Sequence, residues 1–206
     1  MPLKLAVFLS GSGTTLQNIL DRAAARELDA RVVCVISSRP GVYGLERAKL
    51  AGIPAIAVPR TNYASEAAFG DAVWAETRKH SPDLVALAGF MSLLPIPADF
   101  RGRIMNVHPA LIPAFSGKGM YGPHVHEAVI AYGAKVTGAT VHFVDDEYDR
   151  GPVILQSAVP VLEDDTPETL AERVQAAERE IYPKAIQLFA EGRLRIEDRR
   201  VRILPK

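Results

Sequence analysis

The chain has a single cysteine, one tryptophan and no net charge: Lys plus Arg and Asp plus Glu each number 24 among 206 residues. Each scarcity excludes a class of protein. Cys34 alone cannot form an internal disulfide, and its place in the apolar run RVVCVIS reads as a buried structural thiol suited to a reducing cytoplasm. The zero balance leaves no basic surplus to neutralise a nucleic-acid backbone, so nucleic acid is not an expected partner. No apolar stretch approaches the ~20 residues that span a bilayer. The N-terminal LKLAVFL passes straight into a glycine turn with no cleavage region, so neither a membrane segment nor a signal peptide is expected. Internal repeats and low-complexity linkers are also lacking, which favours one domain spanning residues 1–206; roughly 70% of the unfolded surface can be buried at this length.

Several chemical signatures are missing as well. No GxSxG elbow presents a nucleophile. The turn SGSGTTLQ, Ser10 to Gln17, lacks the third glycine of a dinucleotide fingerprint, Leu16 standing in its place, and no Walker lysine follows. Where an acidic ribose ligand belongs, after the second apolar run, the chain reads Ser37, Ser38, Arg39. NAD is therefore disfavoured, an NADP reading through Arg39 is weak, and a phosphate monoester suits the turn better.

What is present is an alternation of apolar runs of strand length with amphipathic segments: LKLAVFLS, TLQNILDRAAARE, RVVCVIS, YGLERAKLAG, PAIAVP, EAAFGDAVWAETRKH, DLVALAG, RIMNVH, HEAVIAYG, TGATVHFV and PVILQSAVPV. Runs that are apolar at nearly every position imply a sheet covered on both faces, hence an α/β doubly wound fold with a mostly parallel sheet. DDTPETLAERVQAAEREIYPKAIQLFAEG predicts one long helix with Asp165 as N-cap, Pro167 in its first turn and Gly192 past its end. RLRIEDRRVRILPK predicts a short terminal hairpin whose arginines form a solvated edge.

Three stretches carry the candidate chemistry. In SGSGTTLQ, Gly11 and Gly13 allow close backbone approach at the start of a helix, a cradle for an anion; a plain tight turn has the same signature. In NVHP, strand alternation puts Asn106 and His108 on one face and Pro109 ends the strand, offering both side chains to the crevice beyond the strand ends. In DDEYDRGPVILQ most of the acids read as a solvated turn, but Asp149 leads back into a buried strand and is the one placed to face inward. An amide donor, an imidazole and a carboxylate are tools for an acyl carbon under attack: two stabilise the oxyanion while the third holds the histidine charged and handles protons. With no protein nucleophile, the attacking group belongs to the substrate, so direct acyl transfer is expected. The turn-rich IPAFSGKGMYGPH reads as a mobile loop over such a site. His142 shares a strand face with Thr140 and is placed to support the site from below, a position that a purely structural histidine would fit equally. His124 and His126 point to different helical faces with no third ligand, so no metal is expected.

Together SGSGTTLQ, LAGFMSLL, NVHPALIPAFSGKGMYG, TVHFVDDEYDRGPVILQ and ERVQAAEREIYP, in this order over nearly the whole chain, resemble the folate-dependent formyltransferases, and among them the phosphoribosylglycinamide formyltransferases of purine biosynthesis. The resemblance implies a Rossmann-like fold whose N-terminal half holds the ribonucleotide and whose C-terminal half holds the catalytic and folate site. It implies a ribonucleotide site at Gly11, Ser12, Gly13, Thr14 and Thr15 with Glu178 on the ribose. Met91, Ser92, Leu93 and Leu94, together with Asn106, match the folate pocket; Asn106, His108 and Asp149 match the catalytic trio, and Thr140 and His142 its supports. The co-substrate implied is 10-formyltetrahydrofolate, the partners are small molecules, and the assembly is a monomer or homodimer in the cytoplasm. The chain departs from the pattern at Thr15, where asparagine is usual, at Glu66 and Ser92, where basic residues are usual, and at Arg150, where a small residue is frequent. Two alternatives stay open: a formyltetrahydrofolate deformylase, and a nucleotide-binding module without catalysis.

Overall fold

The computed structural model describes residues 1–206. Its nine strands form one mixed, mostly parallel sheet accompanied by five α-helices, the α/β class expected from the alternating runs. The chain divides into two compact units, Met1–Met105 and Asn106–Lys206.

In the first unit, β1 (Leu3–Leu9) pairs in parallel with β2 (Ala30–Ser37) and β4 (Leu84–Leu87), and β2 with β3 (Ala55–Ala57). The last five residues of β1 and the last four of β2 are wholly buried, as β-branched and apolar runs in a parallel sheet demand. Three helices connect these strands: α1 (Thr14–Ala24), α2 (Tyr43–Leu50) and α3 (Glu66–Arg78). Ser65 caps α3 by accepting the Ala68 N–H at 3.1 Å. Phe8, Phe69, Trp74, Phe90 and Phe100 pack ring against ring, with Trp74 stacked on Phe100 at 4.6 Å.

Strand β5 (Ile104–His108) begins in the first unit and ends in the second. The second unit adds α4 (Pro123–Tyr132), β6 (Val136–Phe143), β7 (Val153–Pro160), α5 (Pro167–Ala190) and the hairpin β8 (Leu194–Glu197) and β9 (Arg200–Ile203). β6 and β7 are antiparallel, with Thr140 directly opposite Gln156, and the register slips by one residue between Val141 and His142. The expected terminal hairpin forms, β9 lying parallel to β7 at Val153 and Arg200. Val129, Ala139, Val159, Leu170 and Val174 make the core between α4, α5 and the strands.

Helix α5 corrects one expectation. Its N-cap is Thr166, not Asp165: Thr166 and Thr169 exchange side-chain-to-backbone bonds in a capping box, with Pro167 at the first helical position. Asp165 makes a two-pronged pair with Arg173 at 2.6 and 2.9 Å and also accepts from Leu162 N–H and the Thr169 hydroxyl, so its carboxylate is already engaged.

Candidate active site

The end of β5 presents Asn106 and His108 two residues apart, as alternation requires, and β6 presents Thr140 and His142 in the same manner. Asp149 stands in the turn between β6 and β7 with φ 53°, a left-handed conformation that aspartate tolerates better than most residues. The next turn residue but one, Gly151, explains how the carboxylate gets there: a Cβ at that position would run into the Phe143 carbonyl, so only glycine lets the chain fold back against β6. Asp149 Oδ2 then lies 3.4 Å from His108 Nδ1, and Oδ1 lies 3.6 Å from His142 Nε2. Oδ2 also accepts the Gly117 backbone N–H, at 3.0 Å. His108 is buried with this carboxylate beside its Nδ1.

The loop after β5 completes the enclosure. His108 Nε2 lies 2.8 Å from the Phe115 carbonyl, which can only accept, so Nε2 carries a hydrogen. Neutral His108 would then aim an Nδ1 lone pair at an ionised carboxylate; a proton between Nδ1 and Oδ2 removes that conflict. The Nδ1 to Oδ2 separation exceeds an ordinary hydrogen bond, which leaves that N–H open to a further acceptor. Burial pushes the His108 imidazolium below its ordinary range, while the charge of Asp149 and the Phe115 carbonyl pull it back. Burial also opposes ionisation of Asp149, but the His142 ring beside it, the charge of His108 and the Gly117 amide outweigh it and hold the carboxyl below its usual value.

His142 orients Asn106. Its Nδ1 donates to the Phe143 carbonyl at 2.8 Å, and in that tautomer Nε2 accepts from Asn106 Nδ2 at 3.3 Å. The second amide hydrogen of Asn106 is left for another acceptor. Thr140 Oγ1 donates to the Ala110 carbonyl at 2.6 Å and accepts from Ile112 N–H at 3.1 Å, fixing the turn that leaves β5. The expected supports are therefore tied to the expected trio within one unit. On α4, His124 is exposed beside Glu127, while His126 is buried and its burial pushes the ring toward neutrality. No group of three His, Cys, Asp or Glu side chains is arranged to hold a metal ion.

The candidate phosphate turn lies in the first unit. Gly13, the N-cap of α1, takes φ 74°, and a Cβ on it would meet Gly44 Cα at 2.6 Å, so the turn approaches α2 only because Gly13 lacks a side chain; a Cβ on Gly44 would in turn strike Leu9. Arg47 secures the turn through the Ser12 carbonyl at 3.0 Å. Gly11, Ser12 and Thr14 are exposed and Thr15 half-buried, in front of first-turn N–H groups that have no partner inside the helix. Arg39 is exposed, held by its own N–H to Ser37. Met91 is exposed and Ser92, Leu93 and Leu94 are half-buried; Met91 N–H donates to Ser10 Oγ at 2.9 Å, and Ser10 in turn pairs with Ser38 at 2.7 Å. Glu66 is exposed at the start of α3. Glu178, half-buried on α5, has its carboxyl pushed up to about 7 by desolvation, with Arg179 drawing it back.

Reasoning from the sequence missed the Phe115 carbonyl, the Gly117 amide, Gln156 and the Ser10–Ser38 pair. The first two act through the backbone, which has no residue-type signature, and the others depend on which strands pair.

A family model described as formyl transferase matches residues 3–186. This chain belongs to the formyl transferase family. This formyl transferase is 39% identical over 95% of its length to the phosphoribosylglycinamide formyltransferase of Haemophilus influenzae, covering 91% of that protein. It superposes with a TM-score of 0.93 and 48% identity on the crystal structure of glycinamide ribonucleotide transformylase 1 from Symbiobacterium toebii, covering 99% of this chain and 95% of that one. It is 43% identical to the trifunctional purine biosynthetic protein adenosine-3 of Bos taurus, matching over 94% of its own length but spanning only 19% of that protein.

Proposed function

We propose that this formyl transferase moves the formyl group of 10-formyltetrahydrofolate to the primary amine of glycinamide ribonucleotide, without a covalent enzyme intermediate. The observation that carries the chemistry is the His108–Asp149 pair with Asn106 on the same strand face, a donor set with no nucleophile among it. The substrate amine attacks the formyl carbon and its nitrogen lone pair forms the new C–N bond. The former carbonyl oxygen becomes an oxyanion, which accepts hydrogen bonds from the free Asn106 N–H and from His108 Nδ1–H, both hydrogens staying on their nitrogens. Asp149, ionised, accepts the ammonium proton directly or through water and passes it toward N10 of the folate as the old C–N bond breaks. Products are the formylated amine and tetrahydrofolate.

Substrate roles follow the family motifs. The N-terminal half, through Gly11, Ser12, Gly13, Thr14 and Thr15, binds the ribonucleotide phosphate, and Glu178 takes a ribose hydroxyl, a role that its raised pKa suits because a neutral acid both donates and accepts. Met91, Ser92, Leu93 and Leu94 line the folate pocket. The two units act as one domain on small molecules, in the cytoplasm, as monomer or homodimer.

A spectrophotometric assay for the folate product, run with and without glycinamide ribonucleotide, tests the reading. Product formed only with the ribonucleotide supports it. Product and formate released without it would reassign the protein as a deformylase, and phosphate-ligand binding without turnover would leave a binding module.

A further inference from the structure

We propose that Gln156 is a positioning residue for this site: its side-chain amide sets the turn at 110–112, and through that turn the two backbone groups that hold His108 and Asp149. The inference rests on the formyl-transfer reading for its kinetic consequence, but not for its structural one.

Gln156 lies on β7 directly across from Thr140 on β6. Its Nε2 donates to the Ile112 carbonyl and to Thr140 Oγ1, each at 3.0 Å. The Thr140 hydroxyl spends its one proton on the Ala110 carbonyl at 2.6 Å, and receives Ile112 N–H on a lone pair at 3.1 Å. Both atoms facing Gln156 therefore need a donor, so its amide must present nitrogen; the oxygen would meet two acceptors. Both backbone groups of Ile112 are thus taken by side chains from the β6–β7 pair. No other residue in this network offers the second donor.

Downstream of that clamp the chain is held by a sequence of short turns. Ala114 N–H reaches the Leu111 carbonyl at 3.0 Å and Ser116 Oγ reaches the Pro113 carbonyl at 3.0 Å. This segment delivers the Phe115 carbonyl to His108 Nε2 and Gly117 N–H to Asp149 Oδ2. Gln156 touches neither catalytic side chain, and it is exposed, so its replacement is not expected to create a buried cavity. Displacement of a catalytic group by about 1 Å costs up to ~100-fold in rate.

The test uses the full chain with Gln156→Leu, Thr140→Val and the double variant. Gln156→Leu is expected to lower kcat about tenfold or more with KM for the ribonucleotide within about twofold, and with the melting temperature nearly unchanged. The double variant is expected to be little worse than the worse single one, since both act on the same turn. The readout that a merely structural residue would not move is the titration of His108, followed by NMR of ¹⁵N-labelled imidazole. Loss of the Phe115 acceptor is expected to shift it to lower pH in Gln156→Leu, with Asp149, His142 and His126, the other titratable groups around the ring, unaltered in identity. An unmoved His108 titration, or unchanged kcat, overturns the proposal. If the wild-type protein shows no formyl transfer at all, the functional reading fails while the titration still decides the positioning role.

Discussion

At Asp149 the backbone already sits in a region that asparagine and aspartate share, so Asp149→Asn keeps the turn and removes only the charge. Turnover is expected to fall about 100- to 10,000-fold, with ribonucleotide affinity, measured by calorimetry, nearly intact. Glu178 supports a second prediction at this scale. Desolvation raises its folded pKa to about 7, against 4.5 as the ordinary value, so the folded state holds the proton more tightly than the unfolded chain does. Its contribution to stability is fully present below pH 4.5 and is lost as pH rises through 7. Glu178→Gln is therefore expected to melt a few degrees higher than wild type at pH 8 and at the same temperature near pH 4, by calorimetry at both pH values. Asn106, His108 and Asp149 were legible as residues because amide, imidazole and carboxylate each have few chemical substitutes. Their mutual distances were not, since they depend on a turn held by Gly151.

Among the elements, the loop from Pro113 to Gly122 and the turn from Asp145 to Gly151 carry the site. Gly151→Ala would drive a Cβ into the Phe143 carbonyl and force the turn outward, taking Asp149 with it. A loss of about 1–3 kcal/mol in a denaturant titration is expected, together with a larger proportional loss of kcat. The loop was recognisable from Gly117, Gly119 and Gly122, and its role as cover follows from the Phe115 and Gly117 contacts to the buried pair. Limited proteolysis is expected to cut within 116–122 in the free protein and to be suppressed by both substrates together; an unchanged pattern would speak against closure. The cap of α5 shows where reading stopped short. Asp165 and Thr166 both qualify as N-caps by residue type, and the choice between them was made by Arg173, eight residues on and visible only once the helix is folded.

For the whole molecule, equal numbers of acidic and basic residues place the isoelectric point near 7.0. Light scattering at low salt is expected to show greatest self-association near pH 7, falling at pH 5.5 and 8.5 as net charge develops. No helix is long and apolar enough to cross a membrane.

Apolar runs and their spacing were enough by themselves to determine the elements, the α/β class and the terminal hairpin, because strand and helix periodicity is a local property that burial of one face enforces. The family motifs likewise pointed to the side chains for which the catalytic roles are proposed. What tertiary structure alone decided was partnership: that β6 and β7 pair with Thr140 opposite Gln156, that His142 orients Asn106, and that two backbone groups of a glycine-rich loop close on His108 and Asp149. Hydrogen bonds between residues dozens of positions apart form only when the fold brings them within about 3 Å, and no local pattern encodes that distance.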